Sequence, residues 1–123
     1  MAQIAKTKSP DGAKAYFISP KDGDTVTSPV TVQFGLKGMG VAPAGVTTPN
    51  TGHHHLLIDV TEMPDFNAAL PNNDHIRHFG GGQTEAEIVL TPGKHTLQIV
   101  VGDALHIAHD KPVMSDKITV TVK

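Results

Sequence analysis

Apolar and polar residues alternate with a period of two along much of the chain. Leu97, Ile99 and Val101 share one parity, and so do Ile118, Val120 and Val122, with Thr or Lys among the residues between and beside them. Successive side chains of a strand point to opposite faces, so such segments are half-buried strands. Read with the Gly, Pro, Asn and Asp signals that bound them, these patterns predict strands over 14–18, 25–26, 30–36, 53–60, 84–90, 95–101 and 116–122. Ser19-Pro20-Lys21-Asp22-Gly23-Asp24 and Thr91-Pro92-Gly93-Lys94 read as tight turns. Helical spacing is scarce: only 63–70 offers a short helix, with Pro64 near its first turn. Between the strands lie a long loop over 37–52, an irregular crossover over 61–83 that contains Gly80-Gly81-Gly82, and a loop over 102–115.

Short strands in this number predict an all-β fold, an immunoglobulin-like antiparallel β-sandwich of about seven strands. Its expected core pairs are 30–36 with 84–90 in one sheet and 53–60, 95–101 and 116–122 in the other. One sandwich domain is expected over 14–123, behind a flexible N-terminal segment over 1–13. With 123 residues, 38% hydrophobic and only 4% aromatic, the core must be built mainly from Val, Ile, Leu and Ala. Ten Lys and Arg against 12 Asp and Glu give a formal charge of -2. That balance offers no attraction to nucleic acid or to an anionic membrane, and no apolar run approaches the ~20 residues of a membrane-spanning helix.

The chain has no cysteine, which removes disulfides, thiolate metal sites and the blue-copper type of electron-transfer centre. Its eight histidines are the compositional outlier, at roughly three times ordinary usage. The sandwich topology gathers most of them at one pole, where 30–36 ends, 53–60 begins, 95–101 ends and 116–122 begins. His53, His54 and His55 open a strand there, His75 and His78 precede the strand at 84–90, and His106 and His109 lie in the loop after 95–101. His95 falls at the opposite pole. His53 and His55, about 7 Å apart at Cα, share one face and can reach one ion, whereas His54 continues the parity of Leu56 and Ile58 and points to the core edge. The i, i+3 spacing of His106 and His109 suits chelation from one turn. Met39 and Met114 add soft thioethers of the kind that select copper(I), although each can equally plug the core edge. The candidate metal ligands are therefore His53, His55, His106, His109, His78, His75, Met114 and Met39, with no candidate catalytic residue. Asp59, Asp103, Asp110 and Asp116 could orient imidazole N–H groups, and nothing in the sequence chooses among them.

Gly52-His53-His54-His55-Leu56-Leu57-Ile58-Asp59 resembles the bacterial DUF4399 family of exported small domains. The resemblance continues through Tyr16–Gly23, Phe34–Val41, His78–Glu85, His95–Gln98 and Pro112–Ser115. It implies export to the periplasm, with the signal peptide removed, and supplies no activity. The leading expectation is a periplasmic metal-binding protein with copper as the ion and zinc as the alternative; its partner is the ion itself, with room for a periplasmic or membrane protein. A metal-dependent redox or hydrolytic enzyme is a second reading. An interaction module with pH-sensitive histidines and no metal is a third.

Overall fold

In a computed structural model, residues 6–123 are described; residues 1–5, the start of the segment expected to be flexible, lie outside them. The described chain is all-β. Nine strands run in the order β1 (Lys14–Ser19), β2 (Thr25–Val26), β3 (Val30–Lys37), β4 (Gly40–Val41), β5 (Thr51–Ile58), β6 (Ile76–His78), β7 (Glu85–Ile88), β8 (Gly93–Gly102) and β9 (Ile118–Val122). They form two sheets. One has three strands in the order β1-β3-β7; the other has the order β2-β9-β8-β5-β4, with β6 also paired to β5. The pairing of β3 with β7 and of β5 with β8 and β9 through β8 follows the expected core pairs.

The larger sheet is mixed rather than wholly antiparallel, because β2 runs parallel to β9 and β4 parallel to β5. Two short strands, β4 and β6, lie within segments whose sequence shows no alternation long enough to mark them. The short helix expected over 63–70 does not form. Asp65 there accepts the backbone N–H of Asn67 through its carboxylate at 2.8 Å, and Ala68 N–H bonds the Asp65 carbonyl at 3.4 Å, so a local turn takes the hydrogen bonds a helix needs.

The main core lies between the sheets. Phe17, Val30, Val32, Phe34 and Ile88 of the small sheet pack against Leu56, Ile58, Leu97, Ile99, Val101, Val120 and Val122 of the large one. Burying each such aliphatic side chain stabilises the fold by ~1.5–3 kcal/mol. The outer face of the large sheet is also covered. Leu57 and Val100 pack there with Leu70, Ile76 and Ala108, flanked by Phe66 and Met114. Double coverage explains why every residue from Gly52 to Ile58 is buried, polar or not. Residues 7–9 run beside the loop after β8: Asp110 N–H bonds the Thr7 carbonyl at 2.8 Å, and the Ser9 hydroxyl bonds the carbonyls of Asp110 and Lys111. Among the described residues, no helix is long and apolar enough to cross a membrane.

Candidate metal centre

Register builds most of the site. His53 and His55 stand on the outer face of β5 because they are two apart. Antiparallel pairing with β6 sets His78 directly opposite His55, and pairing with β8 sets Gly102 opposite His53 and Val100 opposite His55. The missing side chain at Gly102 leaves room above the sheet: a Cβ there would stand 2.7 Å from Cε1 of His55. Gly80 does the same for His78, whose ring occupies the space a Cβ on Gly80 would need. The fourth histidine comes from the loop after β8. His106 has φ +65°, a left-handed conformation that His adopts more readily than most side chains.

The result is one compact group. His53, His55, His78 and His106 each present a ring nitrogen, and these atoms all lie within 4.8 Å of one another. Ring centroids are 4.8 Å apart for His53 and His55, 5.0 Å for His53 and His78, and 4.4 Å for His78 and His106. Nε2 of His53 and Nδ1 of His106 lie at hydrogen-bond distance, 3.1 Å. His53 and His55 are buried, while His78 and His106 are half-buried. Nδ1 of His53, both ring nitrogens of His55 and Nε2 of His78 are buried without a hydrogen bond in the protein, as are both ring nitrogens of His54 and His109 outside the group. Such atoms are uncommon in native proteins, and an ion is one of the ordinary reasons for them.

Burial also sets the protonation state. Desolvation first, then the neighbouring histidines, push His53 from 6.5 down to about 4. Desolvation and the charges of His53, His78 and His106 push His55 down to about 3. His78 is lowered too, by desolvation and then by His106. At neutral pH these three are neutral imidazoles, the form that binds a metal.

The other candidates lie elsewhere. His109 is fully buried beside Gly52, where a Cβ would stand 3.2 Å from its Cε1, and it is not part of the four-histidine group. Bridges pair Ala69 with Ile107 and Gly102 with Ala108, so this loop is extended there and its i, i+3 positions do not converge as they would on a helical turn. His75 is exposed and bonds the Ile58 carbonyl through Nδ1 at 2.9 Å, beyond the far end of β5 from His53. Met39 packs against the main core and Met114 against the outer apolar cluster. His54 faces inward and stacks on Phe34 with ring centroids 5.0 Å apart. His95 is at the opposite pole, held by Asp59 at 2.7 Å and by the Thr91 carbonyl at 2.8 Å. Two contributors, Gly80 and Gly102, escape sequence reading as site residues; the one signal for them is glycine close to histidine, visible at 78–80 but not at 102, whose partner is brought by strand pairing.

Fold and site together define a small β domain with a four-histidine cluster on the covered face of its larger sheet. The chain belongs to the family described as "Domain of unknown function (DUF4399)", whose model matches residues 32–123. No curated protein and no solved structure matches the chain.

Proposed function

We propose that the protein binds a single transition-metal ion through His53, His55, His78 and His106. The observation that carries this reading is the convergence of four histidine nitrogens within 4.8 Å on a buried face. Zinc bound by imidazole at ~2.0–2.1 Å in a regular tetrahedron has ligand nitrogens roughly 3.3–3.4 Å apart. The His53–His106 pair, at 3.1 Å, is already near that spacing. The widest separation exceeds it by about 1.5 Å, which ring rotations can close.

An all-imidazole set suits copper and zinc, and among divalent ions copper(II) is held most strongly. Copper is therefore the ion proposed, with zinc as the alternative. Four imidazoles fill a tetrahedral shell and leave no open position of the kind catalytic metal sites keep, which favours binding over turnover. The depressed proton affinities of His53 and His55 count against a sensor working between pH 5 and 8. A periplasmic setting, an immunoglobulin-like topology for the two-sheet arrangement, and a periplasmic or membrane protein that exchanges the ion with this one belong to the same proposal. The setting rests on the resemblance to exported domains.

The test is titration with copper(II), copper(I) and zinc of protein never exposed to a nickel column. One equivalent should bind more tightly than ~10 μM, about −6.8 kcal/mol. A His53→Ala, His55→Ala double variant should lose most of that affinity, and a His95→Ala variant should keep it. Absence of copper or zinc binding tighter than ~10 μM in the wild type overturns the reading.

A further inference from the structure

Three of the four clustered histidines stand on paired strands, and only His106 depends on a loop for its place. That loop is organised around one side chain. Asp103 Oδ1 accepts the backbone N–H groups of Leu105 at 2.9 Å and Ile107 at 3.0 Å, the residues on either side of His106. The Asp103 backbone closes the same turn: its N–H bonds the Ile107 carbonyl at 2.9 Å, and its carbonyl accepts the His106 N–H at 3.0 Å. Oδ2 accepts the Thr7 hydroxyl at 2.8 Å, which ties the turn to the N-terminal segment. On the other side, Leu70 N–H bonds the His106 carbonyl at 2.7 Å. A non-glycine residue in the left-handed region costs ~1–2 kcal/mol, and His106 holds that conformation inside this bracket.

Asp103 has a second property. Its residue is only 6% exposed, and it forms no ion pair among the described residues. A buried carboxylate without a cation is costly. Four neutral imidazoles, for their part, bring no negative charge to the ion they would hold, and a bound dication is the largest charge in its neighbourhood.

We propose that Asp103 is the positioning and counter-charge residue of the histidine cluster. It bends the 103–107 turn so that His106 closes over the three strand histidines, and its buried negative charge offsets that of the ion. The inference rests on the metal-binding reading and assigns to one residue the geometry of the fourth ligand and part of the affinity.

The two roles separate in two variants. Asp103→Asn is nearly isosteric and keeps an oxygen for the Leu105 and Ile107 N–H groups while removing the charge. Asp103→Ala removes both. Cobalt(II) serves as a spectroscopic probe, because its visible bands report ligand number and geometry, and zinc affinity is read by chelator competition. Asp103→Asn should bind zinc ~10-fold more weakly and keep the wild-type cobalt spectrum. Asp103→Ala should lose up to ~100-fold and show the altered cobalt spectrum of His106→Ala. In the metal-free protein, the amide protons of Leu105 and Ile107 should exchange faster in Asp103→Ala and near the wild-type rate in Asp103→Asn. If both Asp103 variants bind zinc within about twofold of the wild type, against the 10- to 100-fold ordinary for such partners, the Asp103 assignment is wrong and the metal reading stands. Should Asp103→Ala fail to fold, Asp103→Asn alone decides through its affinity. If the wild type and the His53→Ala, His55→Ala variant bind zinc equally weakly, the metal reading itself fails and the Asp103 assignment falls with it.

Discussion

Acidifying the metal-free protein from pH 7 to pH 5 should strip away a large part of its stability. His53 and His55 have folded-state values of about 4 and about 3, against 6.5 for exposed histidine. Because the folded form resists protonation, the unfolded chain binds more protons wherever the pH lies below about 6.5 and above these folded values, and stability there rises with pH. The contribution is complete above the unfolded value and is lost as pH falls through 6.5 toward 4 and 3. Each such histidine gives a limiting slope of about 1.4 kcal/mol per pH unit. Integrated from pH 7 to pH 5 that is about 2 kcal/mol per histidine, and solvent reaching the cluster past half-buried His78 and His106 reduces the pair's sum to ~2–4 kcal/mol. His54, His78 and His109 are shifted in the same direction, while His95 is shifted oppositely and offsets a little of the loss. A domain of this size has ~5–15 kcal/mol in all. Urea unfolding at pH 7, 6 and 5 should therefore show the midpoint falling by ~1–2 M for m of about 2 kcal/mol/M, the middle of the usual range. Replacing both histidines by Asn should flatten that dependence. If the double variant does not fold, NMR titration of the wild-type imidazoles reads the same quantity. A midpoint unchanged between pH 7 and 5, or ring signals of His53 and His55 titrating near 6.5, would refute the reasoning.

Three further outcomes are expected. Gly80→Ala should displace the His78 ring and weaken zinc binding ~10-fold, while Gly102→Ala should push on His55 and cost ~1–3 kcal/mol of stability as well; chelator competition and urea unfolding separate the two. Leu56→Ala, at a position with no exposure between the sheets, should destabilise by ~2–5 kcal/mol, read as a lower urea midpoint at unchanged m. The Asp59 carboxylate raises the proton affinity of His95, so that pair contributes stability below pH 6.5 which is lost as pH rises through the folded value; Asp59→Asn should be more damaging at pH 6 than at pH 8.5 in thermal unfolding.

Much of the large sheet was legible because period-two alternation is intact in β9, where one face meets the core and the other meets solvent, and because Leu97, Ile99 and Val101 of β8 keep one parity although both faces of that strand are buried from Leu97 on. β5 departs from that rule, since the crossover and the loop after β8 cover its outer face, and its continuous burial could not be foreseen from 53–58 alone. The convergence of His53 and His55 follows from parity, and the meeting of strand ends at one pole correctly draws in the 78 and 106 positions. Treating 61–83 as one undivided segment hides β6. That strand runs antiparallel to β5, so its His78 end lies beside His55 while its Ile76 end leads toward Ile58, and His75 parts from His78 although only two residues intervene along the chain. The extended backbone at 107–108 likewise sends His109 away from His106. Asp103 could not be chosen among the aspartates, because its role depends on a turn whose hydrogen bonds come from residues 105 and 107 and on a hydroxyl from Thr7, 96 residues away.

Metal-edge X-ray absorption on protein loaded with one equivalent of copper(II) or zinc bears most directly on the central claim, because it counts ligands around the ion. The account predicts a first shell of about four nitrogens at ~2.0–2.1 Å with the outer-shell scattering of imidazole rings. That signal should drop to about two imidazoles, completed by oxygen, in the His53→Ala, His55→Ala variant. A wild-type spectrum dominated by oxygen ligands, or one unchanged in the variant, would contradict it.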